Sequence, residues 1–208
     1  MRCFVTGSDT DVGKTIACAW LMLHTPARYW KPVQAGLDET DEATIRALTG
    51  AGDERFIATA YALPEPLSPH EAARRAGVKI EMERFKLPDD DQPLIVEGAG
   101  GLLVPLNENS LVIDLITQFD LPAILVSRTT LGTINHSLLS LEALRARDIP
   151  VAGVILSGPD VPHNRAAIED YGKVRVIGHI PHLDPLTREA LEAIPPELDL
   201  LSLSEVHP

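Results

Sequence analysis

The chain is short of cysteine, of positive charge and of long apolar runs. Its 208 residues hold two cysteines, Cys3 and Cys18. They lack the close pairing of a zinc or redox motif, so both are expected as reduced, buried or half-buried thiols of a cytoplasmic protein. Only 18 lysines and arginines stand against 30 carboxylates, a net charge of −12 with histidine neutral. There is no basic run of five or more. Nucleic acid is therefore not an expected partner, because phosphate contacts need clustered Lys and Arg. An anionic membrane surface is disfavoured for the same reason. The acidity itself reads as solubility. No apolar run approaches the roughly 20 residues of a membrane helix. Met1–Val5 leads directly into a loop with functional character, so no signal peptide is expected. Internal repeats and low-complexity linkers are also missing.

What is present is the alternation of an α/β chain. Apolar content is 45 %, an ordinary globular value. The length suits one domain, residues 1–208, with a sizeable core. Strands are expected at Arg2–Val5, Arg28–Lys31, Leu94–Val96, Ala123–Val126, Val151–Leu156 and Val174–Ile177. Helices are expected at Gly13–His24, Thr40–Leu48 with Thr40 as N-cap, Ser68–Ala76, Ser110–Phe119 and Gly132–Ala146. This order predicts a mostly parallel sheet with helices on both faces. Asp89-Asp90-Asp91, between Pro88 and Pro93, reads as a solvated loop.

The first chemical signal is Gly7-Ser8-Asp9-Thr10-Asp11-Val12-Gly13-Lys14-Thr15, between a strand and a helix. That is the context of a phosphate-binding P-loop, in which successive backbone N–H groups and the helix N-terminus wrap an anion. Lys14 would reach the outer phosphates, and the Thr15 hydroxyl would ligate Mg²⁺. The first glycine lies one residue early, so the spacing is G-x5-G-K-T. Two carboxylates, Asp9 and Asp11, sit beside the expected polyanion. They need a cation to balance them, either Mg²⁺ or an amine substrate.

Further along, Lys31-Pro32-Val33-Gln34-Ala35-Gly36 follows the second strand, which places Lys31 at the carboxyl edge where open α/β sheets hold ligands. Gly36 would permit close approach of another chain or a ligand. Asp41 opens a helix and is either a dipole-stabilising acid or a Mg²⁺ ligand. Leu94–Val96 runs into Glu97-Gly98-Ala99-Gly100-Gly101. A buried strand ending in a carboxylate is the geometry of a Walker B-like acid, and Glu97 would face Thr15. Leu131–His136 opens the longest helix, whose free N–H groups suit a carboxylate. His70 has no metal-binding partner at useful spacing and reads as a cap or packing residue.

These segments together resemble the dethiobiotin synthetase family. The carriers are GSDTDVGKT at Gly7–Thr15, WKPVQAG at Trp30–Gly36, TDE at Thr40–Glu42, PLSPH at Pro66–His70, VEGAGGLLVPL at Val96–Leu106, LPAILV at Leu121–Val126, LGTINH at Leu131–His136 and GHIPHL at Gly178–Leu183. They occur in the family's order and span most of the chain. The resemblance implies a P-loop ligase that carboxylates 7,8-diaminopelargonate with CO2 and closes its urea ring, consuming ATP. It implies Thr15, Asp41 and Glu97 as Mg²⁺ ligands. Lys14, Lys31 and Thr10 become the catalytic set. Nucleotide contacts fall on Asp11, Val12, Gly13, Lys14, Thr15, Ile16, Asp41, Glu97, Gly98, Ala99, Gly100, Ser157, Gly158, Pro181, His182 and Leu183. Diamine contacts fall on Thr10, Lys31, Ala35, Glu97, Gly132 and Asn135, with Asn135 reaching across a homodimer. Two positions depart from the family pattern: Ala35 replaces a serine or threonine near the diamine, and Ser157 replaces an asparagine that reads adenine. Base choice is therefore expected to be loose, with other nucleoside triphosphates able to replace ATP.

Two other classes remain open at this level. A cobalamin-precursor synthetase needs a glutaminase half with a nucleophilic cysteine, for which 208 residues leave no length. A partition-type ATPase switch usually carries an extra lysine early in the loop, where this chain has Ser8-Asp9-Thr10.

Overall fold

The computed structural model describes residues 1–205. The strands are β1 (Arg2–Gly7), β2 (Arg28–Trp30), β3 (Val33–Ala35), β4 (Phe56–Ile57), β5 (Tyr61–Leu63), β6 (Leu94–Gly101), β7 (Ala123–Arg128), β8 (Val151–Ser157) and β9 (Val176–Ile180). The helices are α1 (Lys14–His24), α2 (Asp41–Thr49), α3 (Pro69–Ala76), α4 (Val112–Phe119), α5 (Thr133–Arg145), α6 (Pro162–Gly172) and α7 (Arg188–Glu192). Seven strands form one sheet in the order β4-β2-β6-β1-β7-β8-β9, every pairing parallel. The short strands β3 and β5 pair separately.

The expected elements are found, with shifted ends. The strand expected at Val174–Ile177 starts later, at Val176, and runs to Ile180. Lys173 takes a left-handed turn after α6, and Glu169 accepts from the Val176 N–H, so pairing begins only there. The pairs β3/β5 and the helix α6 escaped the pattern reading, because three-residue strands and a polar helix carry little periodicity. Thr40 caps α2 by accepting from the Ala43 N–H. Helix α3 starts at Pro69, one residue after the expected Ser68, and His70 is exposed rather than packed. The Asp89–Asp91 loop is partly tied down, because Asp90 pairs with Arg28 at 2.6 Å.

Strand parity divides the core. Cys3, Val5, Tyr29 and Ile95 face α1, while Phe4, Trp30, Leu94 and Val96 face the opposite layer with α4. Both cysteines are buried and free, as the sequence suggested. Burial pushes the Cys3 thiol up to about 12. Helix α1 is buried nearly all round from Ala17 to Met22, so its start is held firmly at the sheet's carboxyl edge. No helix among the described residues is long and apolar enough to cross a membrane.

Candidate functional site: a lysine–carboxylate cluster beside the phosphate loop

The loop between β1 and α1 sits at the carboxyl ends of the parallel strands, where this class of sheet holds ligands. Gly13 has φ of 90°, and a Cβ there would lie 2.6 Å from Ser157 Oγ. Both features require glycine and let the backbone turn into α1. Asp11 also takes a left-handed conformation, which aspartate tolerates. Asp9, Thr10 and Asp11 are exposed, Val12 is buried in the α1-side core, and Ile16 packs against that core. Lys14 is only 7 % exposed, so the loop's lysine lies at the floor of the site rather than on the surface. Its Nζ donates to Asp9 O at 3.4 Å. Burial holds the Lys14 ammonium below its ordinary value, and nearby Lys31 adds to that effect against the attraction of Glu97.

Lys31, Asp41, Glu97 and Thr15 come together from four different elements. Register explains the meeting of the first and third. Tyr29 pairs with Ile95 and Trp30 with Val96, so Lys31 emerges alongside Glu97. Lys31 Nζ donates to Glu97 Oε1 at 2.8 Å and to Gly98 O at 3.2 Å, and lies 2.9 Å from Asp41 Oδ2. Thr15 Oγ1 hydrogen-bonds Asp41 Oδ1 and lies 3.3 Å from Glu97 Oε1. Burial opposes the Lys31 charge, but Glu97 and Asp41 outweigh it and hold the ammonium well above the usual lysine range. Burial likewise opposes the Asp41 charge, and Lys31 with the Thr15 hydroxyl overcomes it, leaving the carboxyl below its ordinary value. Among the described residues no group of three His, Cys, Asp or Glu side chains converges on one point. The all-oxygen set of Thr15, Asp41 and Glu97 nevertheless has the chemistry a hard divalent cation takes when water and substrate phosphates complete its shell.

Three further residues shape this cluster, and the sequence reading passed over all of them. Tyr29, fully buried, donates from its hydroxyl to Glu97 Oε2 at 2.9 Å. Burial, with Glu97 adding to it, keeps that phenol protonated well beyond its ordinary range. Gln34 accepts from the Asp41 N–H at 3.3 Å and donates to the carbonyls of Ala35 and Gly36. Arg128, at the end of β7, donates to Asp9 Oδ2 at 2.8 Å and gives that loop acid its counter-charge. A parity signal was available for Tyr29, two residues before Lys31 on the same strand face. Gln34 and Arg128 left no local signal.

The remaining candidates lie around the cluster at different removes. Gly98 follows Glu97 and lies against the Phe4 ring. Ala99 comes next in β6, and Gly100 lies close to the Thr10 hydroxyl. Ser157 ends β8 in register with Ile180 of β9. Ser157, Gly158, Pro181, His182 and Leu183 thus share the carboxyl ends of β8 and β9, next to Gly13. Ala35 is half-buried at the end of β3. The close neighbour of Gly36 is Pro66 of the chain's own loop. Gly132 caps α5 and Asn135 is exposed on its first turn; among the described residues no hydrogen bond ties Asn135 to the lysine–carboxylate cluster.

An AAA domain family model matches residues 1–190. The ATP-dependent dethiobiotin synthetase BioD of Paramagnetospirillum magneticum is 50 % identical over 93 % of this chain and 94 % of that protein. The BioD of Agrobacterium fabrum is 47 % identical over 99 % of this chain and 98 % of its own. Among solved structures, the cell division ATPase MinD of Pyrococcus furiosus superposes with a TM-score of 0.56 at 18 % identity, covering 91 % of this chain and 88 % of that one. A ParA family ATPase of Chlorobium tepidum reaches 0.55 at 14 % identity over the same shares. Those two likenesses speak to the fold, a parallel P-loop sheet. The two sequence relatives match over nearly their whole length, and the chain belongs to the ATP-dependent dethiobiotin synthetase family.

Proposed function

We propose that the chain, as one P-loop domain, carboxylates 7,8-diaminopelargonate and closes the ring to dethiobiotin at the expense of ATP. The observation that carries this reading is the Lys31 ammonium held between Glu97 and Asp41 immediately beside the phosphate loop. A fixed cation there lies where a carbamate and a transferring phosphoryl group would both develop charge. One amine nitrogen bonds to CO2 and loses a proton, giving a carbamate. A carbamate oxygen then bonds to the γ-phosphorus as the bond to ADP breaks. The second amine attacks the carbonyl carbon and loses a proton, and the carbon–oxygen bond to phosphate breaks to release inorganic phosphate.

In this scheme Lys14 and the N–H groups of Asp11–Ile16 grip the phosphates. Lys31 steadies the carbamate, and Thr10 with Glu97, Gly98, Ala99 and Gly100 borders the diamine and nucleotide. Thr15, Asp41 and Glu97 would hold Mg²⁺, which when bound neutralises phosphate charge. Ser157, Gly158 and Pro181–Leu183 border the base. Gly132 and Asn135 serve the substrate carboxylate across a homodimer. Exposed apolar side chains at Leu131 just before this helix, Leu139 on it and Tyr171 on the neighbouring α6 support such a pairing. The cytoplasm, with its reduced thiols, is the proposed compartment.

The test is ADP release with and without the diamine, at saturating bicarbonate and Mg-ATP, with dethiobiotin identified by mass spectrometry. Diamine-dependent ADP in step with product supports the ligase. ADP release indifferent to the diamine would support a switch-type ATPase instead.

A further inference from the structure

The two oxygens of Glu97 are held differently. Oε1 accepts from Lys31 at 2.8 Å and lies 3.3 Å from Thr15 Oγ1, on the side of the phosphate loop. Oε2 accepts from the Tyr29 hydroxyl at 2.9 Å inside the core. The Tyr29 ring is fixed from behind. It meets the Phe56 ring edge-on, with centroids 6.1 Å apart, and the Arg46 guanidinium lies 3.8 Å over that second ring. Among the described residues the Tyr29 hydroxyl hydrogen-bonds none of the loop residues assigned to nucleotide or diamine, so it acts on the site through Glu97. A phenylalanine would fill the same apolar space. The hydroxyl's one hydrogen bond among the described residues is the one to Oε2.

We propose that Tyr29 is a positioning residue that restricts Glu97 to one-oxygen coordination and thereby favours Mg²⁺ over Ca²⁺ at this site. The inference rests on the reading of Thr15, Asp41 and Glu97 as metal ligands. Mg²⁺ is small, demands octahedral geometry and is served by single carboxylate oxygens, whereas Ca²⁺ takes a larger shell and accepts carboxylates through both oxygens. With Oε2 committed to Tyr29, Glu97 offers only Oε1 outward. Without the hydroxyl the carboxylate is free to rotate and present both oxygens, which a larger cation exploits.

The experiment is calorimetric titration of Mg²⁺ and of Ca²⁺ into the full chain with a non-hydrolysable ATP analogue, for the parent, Tyr29→Phe, Glu97→Gln and the double variant. Near-ultraviolet circular dichroism verifies that each is folded. In Tyr29→Phe the ratio of the two dissociation constants is expected to move toward Ca²⁺ by about tenfold, the scale of a hydrogen bond to a charged group. Ca²⁺ should then inhibit Mg²⁺-supported turnover at correspondingly lower concentration. In the Glu97→Gln background the same substitution should leave the ratio unmoved. Loss of core packing alone would weaken both cations alike, so an unchanged ratio in folded Tyr29→Phe overturns the proposal while leaving the metal site standing. If Glu97→Gln binds both cations like the parent, the metal reading itself falls, and this proposal with it.

Discussion

Lys14 and Lys31 are both buried, both at the carboxyl edge of one sheet, and held in opposite ways. Lys31 is met by two carboxylates of its own chain and by the Gly98 carbonyl, and its ammonium is stabilised beyond the ordinary range. Among the described residues Lys14 makes one long hydrogen bond, to Asp9 O, and burial drives it the other way. Burial alone therefore does not decide a lysine's state; the partners do. Lys31 belongs to the folded architecture. Lys14 is a charge that an incoming anion would complete, which is what phosphate binding requires.

The sharpest way to break this contrast is to remove each cation in turn. Lys31→Met strands Glu97 and Asp41 without their counter-charge and is expected to lower unfolding free energy by about 3 kcal/mol, read from urea denaturation. A loss near zero would show that the pair contributes nothing to the fold. Lys14→Met should do the reverse in kind. Its stability should equal or exceed the parent's, because a poorly paired buried charge has gone, while turnover falls by at least about a hundredfold. Parallel stability losses in both variants would erase the distinction.

The carboxylates sharpen it further. Asp41→Asn and Glu97→Gln are each expected to raise the Mg²⁺ concentration for half-maximal activity on the order of tenfold, since each deletes an anionic oxygen. Metal titrations matching the parent would move the cation elsewhere. The Lys31–Asp41 pair also predicts a pH signature. Asp41 is depressed in the folded state, so its contribution is complete above the ordinary carboxylate value of about 4 and fades as pH falls through the lower folded value. Lys31 is raised, so its contribution is complete below about 10.4 and fades only as pH climbs toward the higher folded value. Stability of the parent minus that of Asp41→Asn should thus be flat near neutrality and shrink in acid. A difference independent of pH down to 2 would contradict the pairing.

The smallest expected effect lies at the base. Ser157 has a short side chain packed near Gly13, and its hydroxyl offers no fixed donor–acceptor pair for adenine. GTP and CTP are expected to support product formation within about tenfold of ATP in kcat/KM, and Ser157→Asn should widen that margin toward ATP. A preference for ATP above about a thousandfold in the parent would assign base reading to other residues, such as those at Pro181–Leu183.

Much of the architecture was legible because it is written locally. The apolar runs at Leu94–Val96 and Ala123–Val126, the cap at Thr40 and the glycine-bounded loop before Lys14 each depend on neighbours a few residues away. Lys31 and Glu97 could be singled out for a similar reason, as polar groups where apolar strands end. Tyr29, Gln34 and Arg128 could not be weighed in the same way. Parity with Lys31 is a weak mark on Tyr29, since tyrosine in a strand is ordinary, and neither a glutamine two residues after a proline nor an arginine ending a strand announces a partner 7 or 119 residues away.

By itself the sequence determined the strand–loop–helix context of the phosphate loop, the alternation that makes a parallel sheet, and the family to which the motifs belong. Those follow from short-range sterics, periodicity and the chemistry of residue types at fixed spacing. Only the tertiary structure decided which lysine is neutralised within the chain and which is left to be completed. That outcome depends on strand register bringing Lys31 beside Glu97, on α2 presenting Asp41, and on Tyr29 occupying the second carboxylate oxygen. The physical reason is that desolvation and charge pairing are set by distances of a few ångströms between groups far apart in the chain, and composition and spacing do not encode those distances.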